Sequence, residues 1–96
     1  MDILVTYDVN TEDRAGRRRL RRVAKACTAF GQRVQLSVFE CTVNDEQYET
    51  LRARLLKEIN TDLDSLRLYR LQGGREGCVE CFGIDTYIDF SDPMIV

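Results

Sequence analysis

Asp8 is the residue of this sequence best placed to do chemistry. It follows residues 3–7, an apolar and β-branched run that predicts a buried strand, and it precedes a polar loop. A carboxylate at the end of a rigid strand is held in place and still reaches solvent, which suits a magnesium ligand or a catalytic group. The alternative is a turn or N-cap aspartate, since a lone carboxylate is a poor metal site. Two copies of Asp8 across a dimer axis would form a better one.

A cluster of basic residues is the second candidate. Positions 17–25 include six basic residues: Arg17, Arg18, Arg19, Arg21, Arg22 and Lys25. Like charges at i,i+4 repel by up to roughly 0.5 kcal/mol per pair, and bound phosphates would relieve that repulsion and release counterions. Arginine also contacts phosphate oxygens in two-point hydrogen bonds. The alternative is a solvated helix face whose arginines pair with acidic residues of the second half.

Composition restricts the other kinds of chemistry. The 96 residues include no histidine, so catalysis must rest on carboxylates, cysteine, tyrosine, lysine or a hard metal ion. Cys78 and Cys81 have the spacing of half a zinc site, but Cys27 and Cys41 form no matching second pair and are predicted to be core residues. Neither a zinc site nor a redox motif is therefore favoured.

The charge is distributed unevenly along the chain. The net charge is −2, yet residues 1–35 carry eight basic and four acidic side chains, whereas residues 36–96 carry six and twelve. Such asymmetry predicts a face for an anionic partner. No apolar run approaches the ~20 residues of a membrane span, and the N-terminus lacks a signal-peptide pattern, so we expect a cytoplasmic protein.

The helices and strands that position these residues follow from the hydrophobic pattern. A first helix is predicted at about 16–30, with Thr11 or Asp13 as N-cap and Gly31 as C-cap, because its apolar residues repeat at i, i+3, i+4 and i+7. Residues 33–43 are predicted to be extended, either as one bent strand or as a hairpin near Ser37. Ser37 and Phe39 lie there as weaker candidates, for a phosphate contact and for a base or metal-site wall.

The second half of the chain is predicted to contain another helix followed by strands. A second helix is predicted from Asn44 or Asp45 to about Ile59, followed by a polar loop, a strand at 65–71 and a short strand at 79–82. Two helices on one face of an antiparallel sheet form the ferredoxin-like plan. We therefore predict a single α+β domain over residues 1–96, a ferredoxin-like βαββαβ sandwich with an extra C-terminal strand.

Three stretches together resemble the CRISPR-associated Cas-two family. They are LVTYDV at 4–9, GRRRLRRVAK at 16–25 and GQRVQLSVFEC at 31–41, in the family's order. The resemblance covers residues 3–71 and weakens over 73–90, where the cysteine pair departs from the family's core. It implies a homodimer in which residues 78–96 of one subunit, ending in an apolar tail, pack on the other.

The resemblance also implies a function and a site. Family members are described as metal-dependent nucleases on RNA or double-stranded DNA that serve in spacer acquisition with the CRISPR-associated Cas-one integrase. Asp8 of both subunits would then hold Mg²⁺ (or Mn²⁺) and act catalytically, with Tyr7, Ser37 and Phe39 as neighbours. The nucleic-acid-binding residues would be Arg17, Arg18, Arg19, Arg21, Arg22 and Arg33.

Two other functions remain open at this point. One is a non-catalytic scaffold that binds prespacer DNA and bridges integrase dimers. The other is a small regulatory module that binds a metabolite or a metal and shows no salt-dependent affinity for nucleic acid.

Overall fold

The predicted α+β architecture is confirmed by the computed structural model of the protein, which describes residues 1–71 and 79–84. The described part forms a five-stranded antiparallel sheet in the order β2-β3-β1-β4-β5, together with two helices. This is the ferredoxin-like strand order with one strand added beside β4. The elements are β1 (Asp2–Asp8), α1 (Arg14–Thr28), β2 (Gly31–Gln35), β3 (Val38–Thr42), α2 (Asp45–Glu58), β4 (Ser65–Arg70) and β5 (Val79–Gly83).

Side-chain caps fix where the two helices begin. The Asp13 carboxylate accepts a hydrogen bond from the backbone N–H of Gly16 at 2.8 Å, so α1 starts two residues before the predicted position. Asn44 and Gln47 form a reciprocal capping box at the start of α2. Neither helix in the described residues is long and apolar enough to cross a membrane.

The predicted C-cap of α1 is wrong. The cap is Ala29, and Gly31 is instead the first residue of β2. A Cβ at Gly31 would lie 2.1 Å from the carbonyl oxygen of Glu40 and 2.7 Å from the Sγ of Cys41. Glycine is needed at position 31 because β3 approaches the backbone closely there.

Of the two structures predicted for residues 33–43, the observed one is the hairpin, not a single bent strand. β2 and β3 pair in antiparallel fashion across a turn at Leu36 and Ser37, with a register shift between Arg33 and Gln35. The backbone N–H of Tyr7 donates to the carbonyl of Ser37 at 3.1 Å. This bond ties the hairpin turn to the end of β1.

The core lies between the two helices and one face of the sheet. Alternate strand residues point to that face, as the period of two requires, and the helices meet them with their predicted apolar stripes. The fully buried members are Ile3, Val5, Val23, Cys27, Phe39, Cys41, Leu51, Leu55, Leu66 and Leu68.

The opposite face of the sheet is covered by none of the described elements. It carries the other set of alternating residues, and we call it the open sheet face. Its described members include Leu4, Thr6, Asp8, Val38, Ser65, Arg67 and Tyr69.

β5 belongs to the same domain as the rest of the chain. It pairs with β4, and its Glu80 accepts a hydrogen bond from the Tyr48 hydroxyl and forms an ion pair with Arg52 at 3.2 Å. Residues 72–78 and 85–96 lie outside the described residues, as does the apolar C-terminal end. That the segment 78–96 packs on a partner subunit therefore stays a prediction.

Candidate functional site

Asp8 is the last residue of β1, and its side chain is exposed. It lies opposite Ser65 on the open sheet face and lines two cavities, one of about 410 Å³ and one of about 190 Å³. Within the described residues the Asp8 carboxylate has no hydrogen bond or ion pair. A rigid strand thus presents an available carboxylate at the rim of the sheet.

Ser37 lies beside Asp8 because the hairpin is anchored to β1. The Tyr7–Ser37 backbone bond sets the turn against the end of the strand, and Ser37 lines the larger cavity with Asp8. The neighbouring Leu36 is 86% exposed at the turn.

Tyr7, Phe39 and Arg33 form a stack next to this position. The rings of Tyr7 and Phe39 are 6.2 Å apart between centroids at an interplanar angle of 23°, and the Arg33 guanidinium lies 5.1 Å from the Phe39 centroid. Phe39 is 1% exposed, so it supports Arg33 from beneath and presents no face to a base. Arg33 is exposed and lines the larger cavity.

The Tyr7 hydroxyl is buried near Arg33. It has no hydrogen bond of ordinary geometry within the described residues. Burial raises the pKa of Tyr7, and the Cys27 thiol adds to this effect, while Arg33 opposes it. Tyr7 therefore remains a neutral phenol at physiological pH.

Most of the predicted basic residues form one exposed surface on α1, which we call the basic helix face. Arg18, Arg21, Arg22 and Lys25 recur at i, i+3, i+4 and i+7, so they project along a single stripe. Arg17 is also exposed and donates to the carbonyl of Thr11 at 3.3 Å. Arg21 lines the larger cavity beside Asp8, so the basic helix face borders the carboxylate.

Arg19 is placed differently from the other arginines. Its Nε donates to Asp64 Oδ2 at 2.8 Å and its Nη2 to Asp64 Oδ1 at 3.2 Å, and its side chain is 16% exposed. This hydrogen bond to Asp64 raises the pKa of Arg19. The structure thus balances the charge of Arg19 inside the fold, and a contact with phosphate stays a prediction for this residue.

Asp64, which positions the loop after Asp8, was missed by sequence reasoning because it falls in a segment predicted only as a polar loop. It is 1% exposed and also accepts from the backbone N–H groups of Asn10 at 2.9 Å and Asn60 at 2.8 Å. Burial alone would raise the pKa of Asp64, but the bonds from Arg19, Asn60 and Asn10 and the Arg19 charge outweigh burial and lower it. Asp64 thereby ties the loop after Asp8 to the loop before β4.

One signal in the sequence indicates the position of Arg19. It stands four residues before Val23 and seven before Ala26, both buried, so helical spacing puts it on the inward stripe of α1. No comparable spacing marks Asp64, because its partners lie as many as 54 residues away.

The cysteines behave as the sequence predicts where they are described. Cys27 and Cys41 are free and buried, and Cys81 is free and exposed, while Cys78 lies outside the described residues. Burial, followed by the proximity of Cys41, raises the pKa of Cys27 to about 12. The Cys27 thiol is therefore no nucleophile at neutral pH.

The family model described as CRISPR associated protein Cas2 matches residues 1–77. The chain belongs to the Cas2 family. CRISPR-associated endoribonuclease Cas2 1 of Moorella thermoacetica is 51% identical over 96 residues, all of both chains. CRISPR-associated endonuclease Cas2 of Halalkalibacterium halodurans is 48% identical over 95 residues, 99% of each chain. The sequence resemblance is confirmed, and these names support the prediction of a nuclease.

Solved structures share the Cas2 fold described above. Cas2 of Streptococcus pyogenes, crystallised at pH 6.5, superposes with a TM-score of 0.70 at 55% identity and covers 74% of this chain and 86% of that one. A hypothetical protein from Thermus thermophilus superposes with a TM-score of 0.66 at 33% identity. The superposition covers 75% of this chain and 82% of the Thermus protein.

Proposed function

We propose that this Cas2 chain is a magnesium-dependent endonuclease that hydrolyses phosphodiester bonds in RNA or double-stranded DNA and takes part in spacer acquisition. The observation that carries the proposal is the exposed Asp8 carboxylate, which has no partner among the described residues and borders the basic helix face. A cation ligand and phosphate-binding arginines thus meet at one end of the sheet. The cytoplasm is the predicted place of this activity.

A second chain would complete a metal site at Asp8. No group of three His, Cys, Asp or Glu in the described residues could hold a metal ion, and Asp8 is the only carboxylate among the described residues that line its two cavities. Mg²⁺ keeps several waters and is commonly bound by one or two carboxylates, so the donor set fits if a second Asp8 joins the first. A homodimer with its two-fold axis through the open sheet face would bring them together. The half-buried Leu4, Val38 and Tyr69 give that face apolar area for a second copy to cover.

The residues around Asp8 have distinct roles in this proposal. A bound Mg²⁺ or Mn²⁺ would neutralise charge on the phosphate and acidify a bound water. Asp8 holds its position through β1, and Arg21 and Arg33 orient the phosphate oxygens by charge-assisted hydrogen bonds. Ser37 offers a hydroxyl to the same oxygens, and the buried Phe39 fixes the guanidinium of Arg33.

A scaffold without essential chemistry is the second candidate. The basic helix face favours it, because from Arg18 to Lys25 the helix rises about 10 Å at 1.5 Å per residue, which suits contacts to neighbouring phosphates. Such a surface would hold prespacer DNA between dimers of the Cas-one integrase whether or not Asp8 binds a metal.

Asp8→Asn separates the two candidates. The change keeps the shape of the side chain and removes its charge, so a nuclease should lose at least about a hundredfold in metal-dependent cleavage of RNA or double-stranded DNA. Asp2→Asn, at the other end of β1, is the matched control and should cleave normally. Spacer acquisition that persists in Asp8→Asn, without cleavage by the wild type, would establish the scaffold and refute the nuclease.

Salt dependence tests the basic helix face independently of cleavage. Removing two phosphate contacts with Arg18→Gln and Arg22→Gln should reduce the slope of log K against log salt by roughly 1.8 on double-stranded DNA. Lys57→Gln, an exposed change on α2, should leave the slope unchanged. A wild-type affinity that is flat in salt would contradict both nucleic-acid functions and favour the regulatory module.

A further inference from the structure

The larger cavity beside Asp8 has properties that metal-dependent hydrolysis does not use. It lies between α1, the end of β1 and the β2–β3 turn, and its volume is about 410 Å³. This volume falls within the roughly 300–1,000 Å³ of small-molecule sites. A phosphate and a metal ion alone would leave much of it empty.

One part of the cavity wall is apolar. It is formed by Val9 just after β1, by Leu20 and Ala24 of α1 and by Leu36 of the hairpin turn. Leu36 is 86% exposed, so its apolar side chain is available to a ligand at the mouth of the cavity. A flat heterocycle between Leu36 and α1 would cover this surface.

The other part of the wall is charged. Arg21 and Arg33 are both exposed and reach the cavity from α1 and β2. Their guanidinium groups match the oxygens of a phosphate, which must then lie at the rim. An occupant with an apolar ring and an attached phosphate satisfies both parts of the wall.

The Tyr7 hydroxyl supplies a separate observation. Tyr7 is 5% exposed and lines the same cavity; its hydroxyl has no hydrogen bond of ordinary geometry within the described residues, and its neighbour Arg33 can only donate. A buried donor without an acceptor is unfavourable. A heteroatom of a bound ligand would supply the missing acceptor.

We propose that this cavity binds the base of a nucleotide whose phosphate is held by Arg21 and Arg33. The inference rests on the proposed function in taking nucleic acid as the ligand, and it adds a base-binding subsite beside the scissile phosphate. A base enters such a pocket only when it is unpaired, so the subsite favours single-stranded or frayed positions.

The test compares two small probes on the full chain in the presence of a chelator. Adenosine 5′-monophosphate and ribose 5-phosphate carry the same phosphate and differ in the base. Calorimetry should show that the nucleotide binds at least about tenfold more tightly, because stacking and burial of a base contribute at that level. Equal affinities, or no saturable binding of the nucleotide, would overturn the proposal.

Variants locate the binding within the cavity. Ala24→Phe fills it and should weaken nucleotide binding more than tenfold, whereas Ala53→Phe, the same exchange on an exposed position of α2, should not change it. Leu36→Ser removes an exposed wall without touching the core and should weaken binding about fivefold. Full affinity in both Ala24→Phe and Leu36→Ser would refute the site.

Cleavage assays keep this inference distinct from the proposed function. Nucleotide binding by a protein that cleaves nothing would retain the subsite and refute the nuclease. Asp8-dependent cleavage by a protein that ignores the nucleotide would retain the nuclease and refute the subsite.

Discussion

Replacing Asp64 with asparagine should destabilise the protein strongly. The Asp64 carboxylate accepts hydrogen bonds from Arg19 Nε, Arg19 Nη2 and the backbone N–H groups of Asn10 and Asn60, at 2.8–3.2 Å. Asparagine keeps one acceptor oxygen but turns an NH₂ group toward donors on its other side. It also leaves the Arg19 guanidinium without its counter-charge.

The expected loss follows from these contacts. Breaking a buried ion pair by removing one partner costs about 3–5 kcal/mol, and the two donors that face an NH₂ group account for a large share of that cost. A 96-residue domain has a total stability of roughly 5–14 kcal/mol. At ~4–8 °C per kcal/mol, the melting temperature should fall by at least roughly 12 °C.

Urea unfolding followed by circular dichroism measures this loss. The midpoint should fall with an unchanged slope, because the unfolded surface is the same. The folded pKa of Asp64 lies below its ordinary value of 3.8, so the wild type holds this stability above about pH 4 and loses it as pH falls through the folded pKa. The difference between wild type and Asp64→Asn should therefore shrink on acidification.

A matched substitution in the same loop is the control. Asp62→Asn changes an exposed carboxylate and should alter stability by no more than about 0.5 kcal/mol. A loss of less than about 1 kcal/mol in the free energy of unfolding of Asp64→Asn would contradict the argument. The carboxylate would then not be what holds the loop after Asp8 against the loop before β4.

Three further changes test other parts of the structure. Gly83→Ala should cost about 2 kcal/mol or more in urea unfolding, because Gly83 has a φ of +83° and a Cβ there would lie 2.0 Å from the carbonyl oxygen of Asp64. Burial, then Glu80, raises the pKa of Tyr48 to about 12, so the wild type should lose more stability between pH 10 and 12 than Tyr48→Phe does. The Cys27 thiol should resist iodoacetamide until urea unfolds the protein, as peptide mass spectrometry will show.

Each of these tests has its own control or contrary result. A wild-type midpoint in Gly83→Ala would mean that β5 does not approach Asp64 as described. Tyr69→Phe, at a half-buried position on the open sheet face, should retain the full alkaline loss of stability that Tyr48→Phe reduces. Cys81, which is exposed, should be alkylated in the folded protein, and equally fast labelling of Cys27 would contradict its burial.

The regular elements were predictable because their signals are local. The apolar spacing of α1 places the helix within two residues of its observed ends, and Asn44 marks the start of α2. The β2–β3 hairpin was left open because no turn-specific dipeptide marks it. Its turn is fixed by the bond between Tyr7 and Ser37, residues 30 positions apart, which no local pattern reports.

The sequence by itself determined the family, the ferredoxin-like plan, the end-of-strand carboxylate Asp8 and the basic character of α1, since motif order and residue spacing express all four. Helical spacing separates Arg19 from its exposed neighbour Arg18, but only the tertiary structure supplied Asp64 as the partner of the inward-pointing Arg19. The fold also brings Asp8, Arg21, Arg33 and the hairpin turn around one cavity. The physical reason is the same in both cases, because burial and pairing energies depend on neighbours that are distant in the chain.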